Sequence, residues 1–322
     1  MSIGRRAFLL APAASVAARA GVAGSPLLDA HAHVTSERLL AFRETRRSGD
    51  VRVGGAELIR QMDADGIRRA FVLSTAYQMA ADYKPHKVSE KEEYPRVRGE
   101  NDFAAAECSL DPERLIPFLS VNPKRAYAIE EIDRCVERHP MRGLKLHFWN
   151  SLVDTRDRKQ LAQVQKVVAH AARRGLPVVA HIFVGDVPDY GPADTERFVR
   201  EVIVPTPNLR ISIAHLAGAG GFGEPAQRCF ERLIELRDVL PRNRVWVDLA
   251  AILRQSPPPA VLEKLRALLT LWGVDRVFWG SDGLKGALEQ TREYWPLTSA
   301  DWDGIRQQNG GSFLAVRKPA AG

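Results

Sequence analysis

A distorted TIM-type (β/α)8 barrel is the fold class this sequence predicts, and three observations predict it. Eight short apolar runs alternate with amphipathic helical stretches, which calls for a parallel sheet. The count of eight favours a closed barrel over an open doubly wound sheet. Five of the runs end in a histidine, lysine or aspartate, and a barrel gathers its functional groups at that carboxyl-terminal mouth.

The first strand is expected over 27–34 and carries Leu28-Asp29-Ala30-His31-Ala32-His33. Residues two apart on a strand point to one side, so the two imidazoles face a common place. Two convergent nitrogens make half a site for a divalent transition metal. Strands follow over 68–75, 115–121, 142–148, 177–183, 210–216, 244–250 and 276–281. The fourth carries Lys145 and His147 at the same two-residue spacing. The fifth ends in His181, the sixth in His215, and the eighth runs into Asp282 before Gly283. Ionisable groups at the ends of buried strands are costly unless paired or metal-bound, so packing alone explains them poorly.

Helical patterns lie near 55–66, 100–110, 127–138, 157–174, 193–203, 224–238, 258–271 and 285–293, with Ser256–Pro259 marking a helix start. Residues 77–101 are polar and long for a βα connection. As a βα loop the segment belongs at the mouth, where it reads as a substrate-shaping lid or as a solvated insertion. Phe183 to Pro192 is expected to form another wall.

With 322 residues, residues 25–322 fit one barrel domain, and neither linker nor repeat is visible. Residues 1–24 differ in kind. Gly4-Arg5-Arg6-Ala7-Phe8-Leu9-Leu10 opens a small-residue, mildly apolar run that reads as a twin-arginine export signal. The bland alternative is a basic tail. The run is too short and alanine-rich for a stable membrane anchor. Export of this kind implies a bacterial periplasmic or secreted protein. Arg5, Arg6 and Arg19 supply three of the net +7 charges, and the rest are scattered among acids, so no nucleic-acid partner is expected. Cys108, Cys135 and Cys229 are odd in number and widely spaced, which suggests buried apolar residues rather than disulfides.

His139 and His170 read as surface or packing residues, and His86 as solvated. Asp248, near the end of the seventh strand, is placed to orient a neighbouring ligand. Trp149 sits at a strand end where it could line a pocket; Trp279 reads as core.

As an ordered set, Asp29-Ala30-His31-Ala32-His33, Gly143-Leu144-Lys145-Leu146-His147, Val179-Ala180-His181, Ala214-His215 and Gly280-Ser281-Asp282 resemble the strand-end motifs of the amidohydrolase superfamily. The amidohydrolase-related branch, which includes aminocarboxymuconate semialdehyde decarboxylase and metal-dependent hydrolases, is the nearest resemblance. Asn101-Asp102-Phe103 through Leu115-Ile116-Pro117-Phe118 and Gln308-Asn309-Gly310-Gly311-Ser312-Phe313-Leu314 are similar to that branch as well. The resemblance implies metal ligation by His31, His33 and His181, with Asp282 binding the metal, its water, or both. His215 would carry a proton or hold the attacking water or the substrate. In two-metal relatives the fourth-strand lysine is carboxylated and bridges the ions. Here the context of Lys145 favours one ion, with Lys145 or His147 contacting an anionic substrate group.

Zinc suits that donor set first, and manganese, iron or nickel are compatible. The expected activity on a small-molecule substrate is hydrolysis of an amide, ester or lactone by a metal-activated water, with Asp282 and His215 catalytic. The rival is a non-oxidative decarboxylase of a small aromatic or unsaturated acid using the same metal site, helped by a cation such as Lys145, Arg96 or Arg98. A non-catalytic periplasmic binding barrel is the third reading. A homo-oligomer is compatible with all three.

Overall fold

The computed structural model describes residues 28–42, 52–80, 82, 89–253, 257–295, 298–306 and 310–315. Residues 1–24, expected to be an export signal, together with His86 and the pair Gln308-Asn309, lie outside them.

Eight parallel strands stand in chain order: β1 (Leu28–Ala32), β2 (Arg69–Leu73), β3 (Leu115–Ser120), β4 (Gly143–His147), β5 (Val178–His181), β6 (Ile211–Ile213), β7 (Val245–Asp248) and β8 (Val277–Phe278). The seam between first and last strands closes through Ala30 N donating to the Trp279 carbonyl at 2.9 Å, completing a distorted (β/α)8 barrel. Each strand lies inside its expected range, trimmed at the ends. The helices are α1 (Glu37–Phe42), α2 (Gly55–Asp65), α3 (Ala76–Met79), α4 (Glu90–Cys108), α5 (Ala128–Arg138), α6 (Phe148–Ser151), α7 (Arg158–Arg173), α8 (Pro192–Phe198), α9 (Glu224–Glu235), α10 (Pro259–Trp272), α11 (Ala287–Tyr294), α12 (Ser299–Arg306) and α13 (Gly311–Leu314).

Strand alternation divides the core in two. Ala70 and Val72 face outward into a layer with Ala104, Ala105 and Cys108 of α4. Phe71 and Leu73 face inward, with Ile116, Phe118, Val179, Trp246 and Phe278. Phe313 of α13 enters that interior, its ring 5.7 Å from Phe71 and 5.3 Å from Trp246. Arg210 holds α13 in place by donating to the Phe313 carbonyl at 2.7 Å. Gly143 is required here, because a Cβ would lie 2.0 Å from the Phe118 ring. All three cysteines are buried and free.

One expectation needs correction. The helix expected at 100–110 begins at Glu90, so the latter part of the 77–101 segment is helix rather than loop. Ser89 and Glu92 form a capping box, and Glu90, Glu92 and Glu93 fill the first turn where the helix dipole favours acids. Pro95 obscured this start, since an interior proline removes one backbone bond and usually ends a helix. Of the connection before it, α3 and Asp82 are described; Asp82 is bound by Lys124 at 2.8 Å and Arg125 at 2.7 Å. The short α1, α3, α6, α12 and α13 were not anticipated, for such pieces carry too few turns to show periodicity.

Candidate metal centre

The two strand-one histidines converge as their spacing requires. His31 Nε2 and His33 Nε2 each lie 3.5 Å from Asp282 Oδ1, and the three side chains offer ligand atoms within 4.8 Å of one another. A register shift between Asp29 and Ala32 bulges β1 at this point. The freed His31 amide donates to Asp29 Oδ1 at 3.0 Å, and Ser281 N donates to the same oxygen at 3.0 Å, which ties β1 to the chain after β8. Bulges commonly re-aim side chains next to functional sites. Asp282 takes a left-handed φ of 56° four residues beyond β8, with its amide bonded to the His31 carbonyl at 2.8 Å. Gly280 permits this crossing, since a Cβ there would lie 2.6 Å from that of His31.

Three of the imidazoles are pinned from behind. His31 Nδ1 lies 3.0 Å from Asp248 Oδ2, His33 Nδ1 lies 2.8 Å from the Leu73 carbonyl, and His215 Nδ1 lies 2.7 Å from the Ala250 carbonyl. These oxygens only accept, so each Nδ1 carries the proton and each Nε2 offers a lone pair. Asp248 also accepts from the amides of His215 (2.9 Å) and Ala250 (3.1 Å). The expected orienting role of Asp248 is therefore what its contacts provide. His31, His215 and Asp248 form a second convergent group, but its carboxylate is occupied by those three N–H donors.

His181 stands beside this group. Its nitrogens are outside the 4.8 Å clusters among the described residues, its ring is 5.0 Å from that of His215, and neither nitrogen has a hydrogen-bond partner. A buried imidazole left without partners is costly. The group thus fits a cation: two lone-pair nitrogens and a carboxylate together, one of the nitrogens (His31 Nε2) meeting Lys145 Nζ at 3.0 Å, with a further unpartnered imidazole near them.

Burial and the Lys145 ammonium push His31 down to about 3, against the pull of Asp248, so its ring is neutral near pH 7. Burial pushes His147 and His181 well below the ordinary imidazole value. Burial pushes Lys145 down to about 8, opposed by Asp248 and Asp282. Burial would raise the Asp282 carboxyl, but its imidazole neighbours, His33 first, outweigh it and hold it well below the usual carboxylate range.

Lys145, 1% exposed, points its Nζ at His31 Nε2 across 3.0 Å. His147 stacks between Tyr77 (ring centroids 4.5 Å apart) and His181 (4.1 Å). Trp149 lies at 6.4 Å from the His181 ring and donates to Asp186 Oδ2 at 2.5 Å. Arg96 and Arg98 instead lie over the Phe42 and Tyr94 rings, at 5.3 and 5.7 Å. His139 and His170 pair with Asp102 and Asp133, and Trp279 is core. Asp29 and Tyr77 were missed. Asp29 had a signal, its place two residues before His31, whereas nothing marked Tyr77 in the short α3.

A family model described as Amidohydrolase matches residues 28–311. Among solved structures, a probable 2-pyrone-4,6-dicarboxylic acid hydrolase of Acinetobacter baumannii, with citric acid bound, is 14% identical, with a TM-score of 0.59 over 90% of this chain and 99% of that one. The 2,6-dihydroxybenzoate decarboxylase of Rhizobium is 16% identical, at 0.62 over 90% and 98%. The 5-carboxyvanillate decarboxylase of Novosphingobium aromaticivorans, complexed with manganese, is 13% identical, at 0.61 over 93% and 99%. A search of curated proteins gives no match.

Proposed function

The chain belongs to the amidohydrolase family, and from that premise we propose that it is a metal-dependent hydrolase cleaving an amide, ester or lactone bond of a small molecule. The observation that carries this reading is the meeting of His31 Nε2 and His33 Nε2 at Asp282 Oδ1, 3.5 Å from each, with each Nδ1 already engaged. His31, His33, Asp282 and, from across the mouth, His181 would hold one divalent ion. One ion is favoured over two, because His31 belongs to both convergent groups and its Nδ1 carries the proton that faces Asp248. Zinc fits the nitrogen-rich set; manganese is the ion in the Novosphingobium relative. When bound, such an ion polarises a carbonyl and lowers the pKa of water to about 7.

The chain's own groups do the rest. Asp282, ionised and 20% exposed, accepts the proton of the attacking water. His215, whose Nδ1–H is fixed on Ala250, keeps Nε2 to receive that proton and pass it to the leaving group. Lys145, cationic below about pH 8 and 3.0 Å from His31 Nε2, lies beside the place of the ion. His147 faces the substrate's polar end, and Trp149 forms a wall.

A second reading, non-oxidative decarboxylation of a small aromatic acid by the same residues, is favoured by the decarboxylases among the similar structures. Metal-loaded protein offered esters, lactones, amides and aromatic acids separates the two. Hydrolysis products without carbon dioxide support the first, carbon dioxide release supports the second, and no metal-dependent turnover on any class overturns both.

Periplasmic delivery by the twin-arginine start within residues 1–24, followed by one barrel domain over 25–322, belongs to the same proposal. Replacing Arg5 and Arg6 by lysine should retain the protein in the cytoplasm. No helix among the described residues is long and apolar enough to cross a membrane.

A further inference from the structure

His147 is built differently from the other histidines of the mouth. The Asn150 backbone amide donates to its Nδ1 at 3.2 Å, so the ring caps the short α6. A backbone N–H cannot accept, so Nδ1 holds the lone pair and the ring proton must sit on Nε2. His31, His33 and His215 have the reverse arrangement, each with Nδ1 on an oxygen that can only accept. Three rings therefore offer lone pairs at Nε2, and one offers an N–H.

That N–H is free to be used. His147 is half-buried, and its Nε2 has no hydrogen-bond partner among the described residues. Stacking against Tyr77 at 4.5 Å and 20°, and against His181 at 4.1 Å and 15°, fixes the ring plane. The register places His147 opposite His181 at the mouth end of the sheet. Lys145 shares its face of β4, so the nearest fixed charge on that strand is positive.

We propose that His147 is a specificity residue, neither metal ligand nor base, whose Nε2–H receives a carboxylate oxygen of the substrate and so selects small organic acids. The assignment rests on the reading of this mouth as the active site. An ionised acceptor makes the stronger hydrogen bond to such a donor. A tautomer locked by a backbone amide also costs the bound state no rearrangement.

Two measurements test it without turnover. Long-range 15N–1H correlation spectra of the zinc-loaded full chain should show His147 with a protonated Nε2 and an unprotonated Nδ1; the opposite pattern overturns the proposal. Calorimetry then compares benzoate with benzamide on the same protein. His147→Met, which removes the donor, should weaken benzoate by about 10- to 100-fold, as expected for a hydrogen bond to a charged group. Benzamide should change far less, and His147→Gln, which keeps an N–H, should restore most of the benzoate affinity. Equal benzoate affinity in all three proteins, or no benzoate binding by the wild type, overturns the proposal. Absence of turnover with these results intact would instead fault the proposed reaction.

Discussion

His31 Nδ1 lies 3.0 Å from Asp248 Oδ2 across 217 residues of sequence, and both side chains are buried. The carboxylate sets the tautomer of a ring whose opposite nitrogen faces Asp282 and Lys145. Removing it strands three N–H donors.

Asp248→Ala should lower the affinity for zinc about 10- to 100-fold, as loss of an orienting partner does. It should also destabilise the fold by about 1–3 kcal/mol for each donor left unsatisfied. Competition with a chromophoric chelator and urea denaturation check the two effects. Unchanged zinc affinity would contradict the orienting role.

His215→Ala and Asp282→Ala should each reduce turnover by about 10²-fold or more, while circular dichroism stays that of the wild type. The two differ in metal content: Asp282→Ala should lose the ion, and His215→Ala should keep it. Full activity in either variant would exclude its proposed part.

Acid should destabilise the metal-free protein across a defined window. Burial holds His31 at about 3 and His147 and His181 well below the ordinary value of 6.5. The unfolded chain therefore binds more protons between about pH 3 and 6.5, so stability rises with pH there and is lost as pH falls. Each neutral histidine contributes up to about 1.4 kcal/mol per pH unit. Urea midpoints at pH 5 and pH 6.5 check this, and a flat profile between them would contradict it.

Chelation should abolish turnover and lower the thermal midpoint, and readdition of zinc or manganese should restore both. Elemental analysis should return about one equivalent of metal. Two equivalents would revive the carboxylated-lysine arrangement.

Far from the mouth, Phe313→Ala removes the ring that plugs the barrel interior among Phe71, Phe118, Trp246 and Phe278. A large-to-small change at a fully buried aromatic costs about 3–5 kcal/mol. Metal content per folded molecule should not change. Denaturant unfolding and elemental analysis of the folded fraction measure the two.

Strand periodicity and two-residue spacing carry information along a single strand, and that much was open to reading. Eight apolar runs, the shared side of His31 and His33, and the carboxyl-terminal placement of Lys145, His147, His181 and His215 follow from local sequence, because an extended chain alternates its faces whatever surrounds it. Helix α4 was misjudged at its start because Pro95 argues locally against a helix that capping and packing on β3 sustain. The bulge in β1, the left-handed turn at Asp282 and the three-ring stack from Tyr77 to His181 could not be read, since each depends on what a different strand presents. The sequence alone decided which residue types reach the mouth. Only the tertiary structure decided which nitrogen of His31, His33 and His215 faces inward, because a ring's proton is placed by the partner behind it, and those partners (Asp248 and the Leu73 and Ala250 carbonyls) come from elsewhere in the fold, whereas His147 is set locally by the Asn150 amide.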